Sequence, residues 1–178
     1  VGEVGKVMHT SDGGQTWEGQ DLGLPSLSFN NLFGVFSLDS NTCWAVGVSG
    51  TIVKTIDGGA TWTQQLSPAP TELHGVFFVD ANTGWAVGDN GIIIATKNGG
   101  DTWSEQVSGV KAGLEDVYFD NESEGWVVGD EGAILHTNDS GVTWLSEDSN
   151  TEVALKDIYR PKDGSIYVVG EWGVILKK

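Results

Sequence analysis

Leucines at positions 32, 73, 114 and 155 each open the same pattern, and they fall 41 residues apart. Leu32-Phe33-Gly34-Val35-Phe36 returns as Leu73-His74-Gly75-Val76-Phe77, Leu114-Glu115-Asp116-Val117-Tyr118 and Leu155-Lys156-Asp157-Ile158-Tyr159. A unit this short cannot bury both of its faces alone. Repetition at this period therefore implies units stacked on one another around a shared core.

Three further elements follow each leucine. The second is Trp44-Ala45-Val46-Gly47, Trp85-Ala86-Val87-Gly88, Trp126-Val127-Val128-Gly129 and Tyr167-Val168-Val169-Gly170. The third runs from Gly50 to Thr55, Gly91 to Thr96 and Gly132 to Thr137, with further copies from Gly5 to Thr10 and Gly173 to Lys178. The fourth is expected at Thr16-Trp17, Thr61-Trp62, Thr102-Trp103 and Thr143-Trp144. All are short, rich in β-branched and aromatic residues, and bounded by Gly, Asn or Asp, which are strand signals. A Gly-x-x-Gly segment joins second strand to third, and its glycines are expected to supply the positive φ of a tight hairpin. Turn-prone residues (Asp39-Ser40-Asn41, Asp80-Ala81-Asn82, Lys162-Asp163-Gly164) join first strand to second. The longest connections link unit to unit, and the first of them spans Gly19 to Asn31.

Four strands per unit of this length is the pattern of a propeller blade. The expected fold class is all-β, a β-propeller of four-stranded antiparallel blades carrying about four blades' worth of sequence. Residues 1–178 form a single propeller domain or propeller segment, with full blades at 32–66, 73–107 and 114–148 and partial blades at 1–22 and 155–178. Five copies of the third strand against four of each other leave closure open. Residues 1–20 could complete the blade begun by 155–170 and remove the unpaired edges. Otherwise the chain is a run of consecutive blades from a larger propeller, and this second arrangement is the one expected.

The turn between third and fourth strands is the most specific motif. It reads Thr10-x-Asp12-x-Gly14-x-Thr16-Trp17, Thr55-x-Asp57-x-Gly59-x-Thr61-Trp62, Thr96-x-Asn98-x-Gly100-x-Thr102-Trp103 and Thr137-x-Asp139-x-Gly141-x-Thr143-Trp144, the Asp-box pattern. A short carboxylate accepts hydrogen bonds from backbone N–H groups across its own turn, satisfying donors that a tight loop leaves open. Asn98 keeps the acceptor oxygen without the charge, so hydrogen bonding is the common requirement. The box is read as structural, with the Trp ring packed between strands and its N–H free to find an acceptor.

Taken whole, the unit Leu-x-x-Val-x-Phe, Gly-Trp-Ala-Val-Gly-x-x-Gly-x-Ile, Thr-x-Asp-Gly-Gly-x-Thr-Trp resembles the photosystem II stability/assembly factor family and its non-photosynthetic bacterial relatives, most clearly over residues 73–103. The resemblance implies a non-enzymatic, seven-bladed, extracytoplasmic propeller that helps assemble a membrane complex. Photosynthetic members are associated with an arginine-rich patch, whereas this chain has the single arginine Arg160.

Charge narrows the partners. A formal net charge of −16 repels nucleic acid and anionic lipid surfaces and favours cationic ones. No apolar run approaches the roughly 18 residues of a membrane helix, so direct membrane insertion is not expected. Cys43 is alone and stands where other repeats carry Gly84 and Gly125, so it reads as a small, partly buried side chain. Neither cofactor nor metal is expected: His9, His74 and His136 show no second ligand at metal spacing. The stretch containing Asp120, Glu122, Glu124, Asp130 and Glu131 lacks the register of a calcium loop.

Propeller connections alternate between two faces, which places the Asp-boxes on one and the Gly-x-x-Gly hairpins on the other. The first variable hairpin position holds Glu3, Val48, Asp89, Asp130 and Glu171. Carboxylates recurring there concentrate negative potential, and the functional reading is that Glu3, Asp89, Asp130 and Glu171 form a docking ring for a protein partner with a basic or mixed surface, or for a cation. The plainer explanation is that Asp suits turns. Trp172 stands where the other repeats have Val4, Ser49, Asn90 and Glu131, and an indole at a hairpin tip is a candidate protein or sugar contact. No catalytic residue is assigned. The alternative is a fragment of an Asp-box glycoside hydrolase or carbohydrate-binding propeller. A sialidase's three-arginine clamp cannot be built by a chain with one arginine, but a two-carboxylate glycosidase stays open.

Overall fold

A computed structural model describes residues 1–24, 31–161 and 163–178. The Gly19–Asn31 linker and the Lys162 turn therefore lie partly outside the described residues. Strands β1 (Val7–His9) and β2 (Glu18–Gln20) pair in a two-stranded sheet. Strands β3 (Leu32–Ser37), β4 (Cys43–Gly47), β5 (Ile52–Thr55) and β6 (Thr63–Gln65) form the next sheet in sequence order. The following sheet holds β7 (Leu73–Phe78), β8 (Gly84–Gly88), β9 (Ile92–Thr96) and β10 (Ser104–Gln106). Then come β11 (Leu114–Phe119), β12 (Gly125–Gly129), β13 (Ile134–Thr137) and β14 (Leu145–Glu147). The last sheet contains β15 (Leu155–Tyr159), β16 (Tyr167–Gly170) and β17 (Ile175–Lys177). Every neighbouring pair is antiparallel, as in propeller blades, and among the described residues the first and last sheets share no strand pairing. Among the described residues no helix is long and apolar enough to cross a membrane.

Two local expectations need correction. Fourth strands begin after the Asp-box tryptophan, at Glu18, Thr63, Ser104 and Leu145. The box's side-chain hydrogen bonds hold the backbone in a turn until the strand can start. Only the last glycine of each Gly-x-x-Gly has positive φ (Gly50, 71°), and it shares the left-handed region with the residue before it (Ser49, 55°). The first glycine is extended, as at Gly88 (φ −174°). It is glycine for space: a Cβ on Gly88 would collide with the Glu72 carbonyl and come within 2.9 Å of Leu73 Cα.

Core residues lie between sheets. Trp44, Val46 and Ile52 pack with Leu73, Phe78 and Ile94 of the following sheet, and Trp85, Val87 and Ile93 pack in the same way with Leu114, Phe119 and Leu135. One aromatic contact repeats at each junction. Trp44 stacks on Phe78 at 3.6 Å between ring centroids, and Trp85 on Phe119 at 3.5 Å. At the third junction Arg160 takes the phenylalanine's place, its guanidinium carbon 4.9 Å from the Trp126 ring centre, a cation–π contact. Each phenylalanine ring lies directly over the glycine opposite it, Gly84 or Gly125. The corresponding pair in the β3–β4 ladder is Ser37 and Cys43. Cys43 can carry a side chain because serine, not phenylalanine, stands opposite it, and burial pushes its thiol pKa up.

Candidate protein-interaction face

The inner strands β3, β7, β11 and β15 run side by side, and the Gly-x-x-Gly hairpins fold against the linkers that enter them. Each hairpin is pinned by backbone bonds: Val48 N–H donates to the Asn31 carbonyl (3.0 Å), Asp89 to Glu72 (3.0 Å), Asp130 to Gly113 (2.8 Å) and Glu171 to Ala154 (2.9 Å). The first variable hairpin residue thereby comes to lie beside the second residue of an inner strand. Phe33, His74, Glu115 and Lys156 occupy that second position in the four repeats.

The result is a set of ionic contacts that sequence spacing alone does not reveal. Lys156 Nζ lies 2.5 Å from Glu115 Oε1, 3.3 Å from Asp130 Oδ1 and 3.7 Å from Glu171 Oε1, so one lysine links two of the predicted carboxylates. The bonds with Glu115 and Asp130 outweigh the effect of partial burial and raise the lysine's pKa. Asp89 Oδ1 meets His74 Nε2 at 2.8 Å, and the His74 ring stacks on Phe33 with centroids 5.3 Å apart. Glu72 approaches the same histidine and aspartate, their ligand atoms lying within 4.8 Å of one another. Glu72 lies two residues before His74 in the chain, and the hairpin fold adds Asp89 from 15 positions away, a grouping not expected from the spacing of the histidines. Glu3 occupies the equivalent turn of the first sheet and is exposed, but among the described residues no side-chain bond joins it to Asp89, Asp130 or Glu171. Trp172 stands at 92% exposure in the left-handed conformation (φ 56°), its indole projecting from the hairpin tip.

One layer deeper, the third inner-strand position is Gly34, Gly75, Asp116 and Asp157. A cavity of about 220 Å³ opens here, bordered by Phe33, His74, Lys156 and these aspartates. Glycine lets the strands approach closely: a Cβ on Gly75 would lie 2.9 Å from Asp116 Cα. Asp116 instead crosses to the next strand, where its Oδ2 accepts the Ile158 N–H at 3.1 Å. Burial, reinforced by the adjoining Asp157 carboxylate, raises the Asp116 pKa to about 7.

The opposite face carries the Asp-boxes. Asp57 Oδ1 accepts from Thr61 N–H at 2.9 Å and Thr55 Oγ1 at 2.8 Å, while Oδ2 accepts from Thr61 Oγ1 at 2.6 Å. Asp12 and Asp139 repeat this pattern. These bonds, led by the one from the downstream threonine hydroxyl, lower Asp12 and Asp57 to about 2 and lower Asp139 as well. Asn98 Oδ1 accepts the same two bonds and its Nδ2 donates to Thr102 Oγ1 at 2.9 Å. Trp62, Trp103 and Trp144 are buried, but Trp17 is 57% exposed. Of the three buried rings only Trp144 gives its indole N–H to an acceptor, Gln106 Oε1 at 3.2 Å. Gln20, Gln65 and Gln106 recur at the ends of the fourth strands without forming a recognisable motif. Each donates its amide to a carbonyl in the next sheet's Asp-box (Gly58, Gly99, Ser140) at 2.8–3.0 Å, locking blade to blade. In the first-to-second strand loops the capping acceptors are Asp39, Asp80 and Asn121, whereas Asp120 pairs with Arg160.

A profile of the family described as Photosynthesis system II assembly factor YCF48 matches residues 1–73, 66–148 and 101–178. Among solved structures, YCF48 bound to D1 peptide is 24% identical with a TM-score of 0.65, over 79% of this chain and 48% of that one. YCF48 from Cyanidioschyzon merolae is 21% identical with a TM-score of 0.67, over 83% and 52% of the two chains. The GH74 enzyme of Niastella koreensis is 17% identical with a TM-score of 0.70, over 82% and 28%. At these identities the structural likeness concerns the fold. The chain spans about half the length of the two YCF48 structures. No curated protein matches it.

Proposed function

This chain belongs to the Photosynthesis system II assembly factor YCF48 family, and from that premise we propose that it is a non-catalytic propeller scaffold that docks a protein partner during assembly of a larger complex. The docking surface is the Gly-x-x-Gly face, through Glu3, Asp89, Asp130, Glu171 and Trp172. The observation that carries the reading is the clustering of Asp130, Glu171 and Glu115 around Lys156, on a face that also presents Asp89 and an almost fully exposed indole. Lysine or arginine side chains of an incoming segment would meet more carboxylates there than one lysine neutralises, and Trp172 would supply the apolar anchor. One related protein, YCF48, has been solved with D1 peptide bound, which supports a peptide segment as the ligand. An extracytoplasmic location belongs to the same proposal and rests on the family.

The glycosidase alternative is supported by the GH74 likeness of fold. Against it, the Asp116 carboxylate adjoins that of Asp157 and is tied to the Ile158 N–H, whereas hydrolytic carboxyl pairs stand roughly 5–9.5 Å apart with the sugar between them. The cavity beside them has no tryptophan in its wall among the described residues.

Fluorescence anisotropy separates the readings. A labelled lysine-rich peptide is expected to bind in low salt, and the E3Q/D89N/D130N/E171Q variant to weaken it at least tenfold. W172A should weaken it further without altering its salt dependence. Equal affinity for the quadruple variant and the parent would overturn the docking assignment, and release of reducing sugar from a β-glucan would overturn the non-catalytic one.

A further inference from the structure

We propose that Glu72, His74 and Asp89 form a binding site for a single divalent transition-metal ion, with Zn²⁺ the best match, at the junction of the second full blade's linker, inner strand and hairpin. Three donors of mixed type converge there, with every pair of ligand atoms within 4.8 Å. His74 Nε2 and Asp89 Oδ1 are already 2.8 Å apart. Two donors held tetrahedrally at about 2.0–2.1 Å from one zinc ion stand roughly 3.3–3.4 Å from each other, so these two would open by about half an ångström. Glu72 is exposed and can swing its carboxylate inward by the remaining distance. Three protein ligands leave a fourth position for water, the pattern of an open zinc site. An imidazole in the set favours zinc over the hard cations calcium and magnesium, which take oxygen donors.

The scaffold beneath these ligands is rigid. Asp89 N–H donates to the Glu72 carbonyl at 3.0 Å, tying two of the ligand residues together through the backbone. Gly88 permits that approach, since a Cβ there would strike the same carbonyl. Phe33 stacks on the imidazole at 5.3 Å and sets the plane of the ring. Asp130 adds negative potential nearby: a Cβ on Gly113 would lie 2.8 Å from Asp130 Oδ2 and 3.6 Å from Asp89 Oδ1.

The repeat provides internal controls. Glu72 corresponds to Asn31, Gly113 and Ala154, and His74 to Phe33, Glu115 and Lys156. The blade therefore needs neither ligand to fold, and the combination occurs in one of the four repeats. His136 also lies between carboxylates, but its two nitrogens face different ones, Nε2 toward Glu124 and Nδ1 toward Glu147, each at 3.7 Å. Donors on opposite edges of one ring cannot chelate a common ion, so His136 serves as the negative control.

The test is isothermal titration of the 178-residue chain with ZnCl₂ and, separately, CaCl₂. One zinc per chain is expected, with calcium at least tenfold weaker. H74F, which borrows the residue at Phe33 and so keeps an aromatic ring against it, should lose zinc affinity at least tenfold. E72Q, a change at an exposed side chain, should weaken zinc at least threefold while leaving the urea midpoint unchanged. H136Q should bind zinc as the parent does. Absence of saturable zinc binding, calcium binding as tight as zinc, or zinc affinity that survives H74F or E72Q would each overturn the site.

Discussion

Gly84→Cys tests the packing rule that joins one blade to the next. The Cβ of any side chain at Gly84 would sit 2.6 Å from Phe78 Cγ and closer still to the ring edge, where carbon–carbon contacts ordinarily settle at about 3.5–4.0 Å. The ring has to retreat by about 1 Å, yet its far face is stacked on Trp44 at 3.6 Å and it is 1% exposed. Overpacking of this kind costs about 1–3 kcal/mol, and the absence of slack puts Gly84→Cys near the upper end. Phe78→Ser alone removes a buried aromatic and should cost about 3–5 kcal/mol. Together the two changes rebuild the Ser37–Cys43 pair that the β3–β4 ladder already uses. Removing the ring removes the three closest clashes of the new Cβ, so the double variant should be more stable than the sum of the singles by at least ~1 kcal/mol. Urea unfolding followed by far-ultraviolet circular dichroism supplies the four free energies of the cycle. Additivity within about 0.5 kcal/mol would refute the claim that glycine is there to admit the ring.

Arg160→Ala removes the cation–π contact to Trp126 and the partner of Asp120, and should lower stability by about 1–2 kcal/mol; Arg160→Phe, which copies Phe78 and Phe119, should retain more of it, and the order is read from urea midpoints. The Asp57 and Asn98 boxes should part company in acid. Because folding lowers Asp57 from 3.8 to about 2, its contribution is complete above the ordinary carboxylate range and disappears as pH falls through about 2. Hydrogen exchange should therefore show the Thr61 amide losing protection relative to Thr102 across that interval, since the Asn98 box has no carboxylate to protonate; parallel loss at both would refute the assignment.

Much of the fold is legible in the sequence because its signals are local and repeated. Strand, turn and Asp-box positions follow from residues within one 41-residue unit, and four copies expose each requirement by what varies, as Asn98 does for the box. The candidate face is legible only in part. Asp89, Asp130 and Glu171 are visible as a recurring hairpin position, but Lys156, which joins two of them, comes from an inner strand whose side chains vary from blade to blade. Glu72 and His74 are separated from Asp89 by a full strand pair. The Gln20, Gln65 and Gln106 locks are hidden for another reason: glutamine on a short strand carries no motif, and its partner belongs to the next sheet.

By itself, then, the sequence determined the unit: four antiparallel strands, a glycine-bearing hairpin and a self-satisfied Asp-box turn, each specified by side chains acting on their own backbone. Tertiary structure alone decided how one unit meets the next. The Trp44–Phe78 and Trp126–Arg160 stacks, the space that Gly84 must leave, the raised pKa of Asp116 and the convergence of Glu72, His74 and Asp89 all depend on distances between strands far apart in the chain. Periodicity says which residues are equivalent, while packing says which of them touch, and the chemistry of the candidate sites resides in that contact.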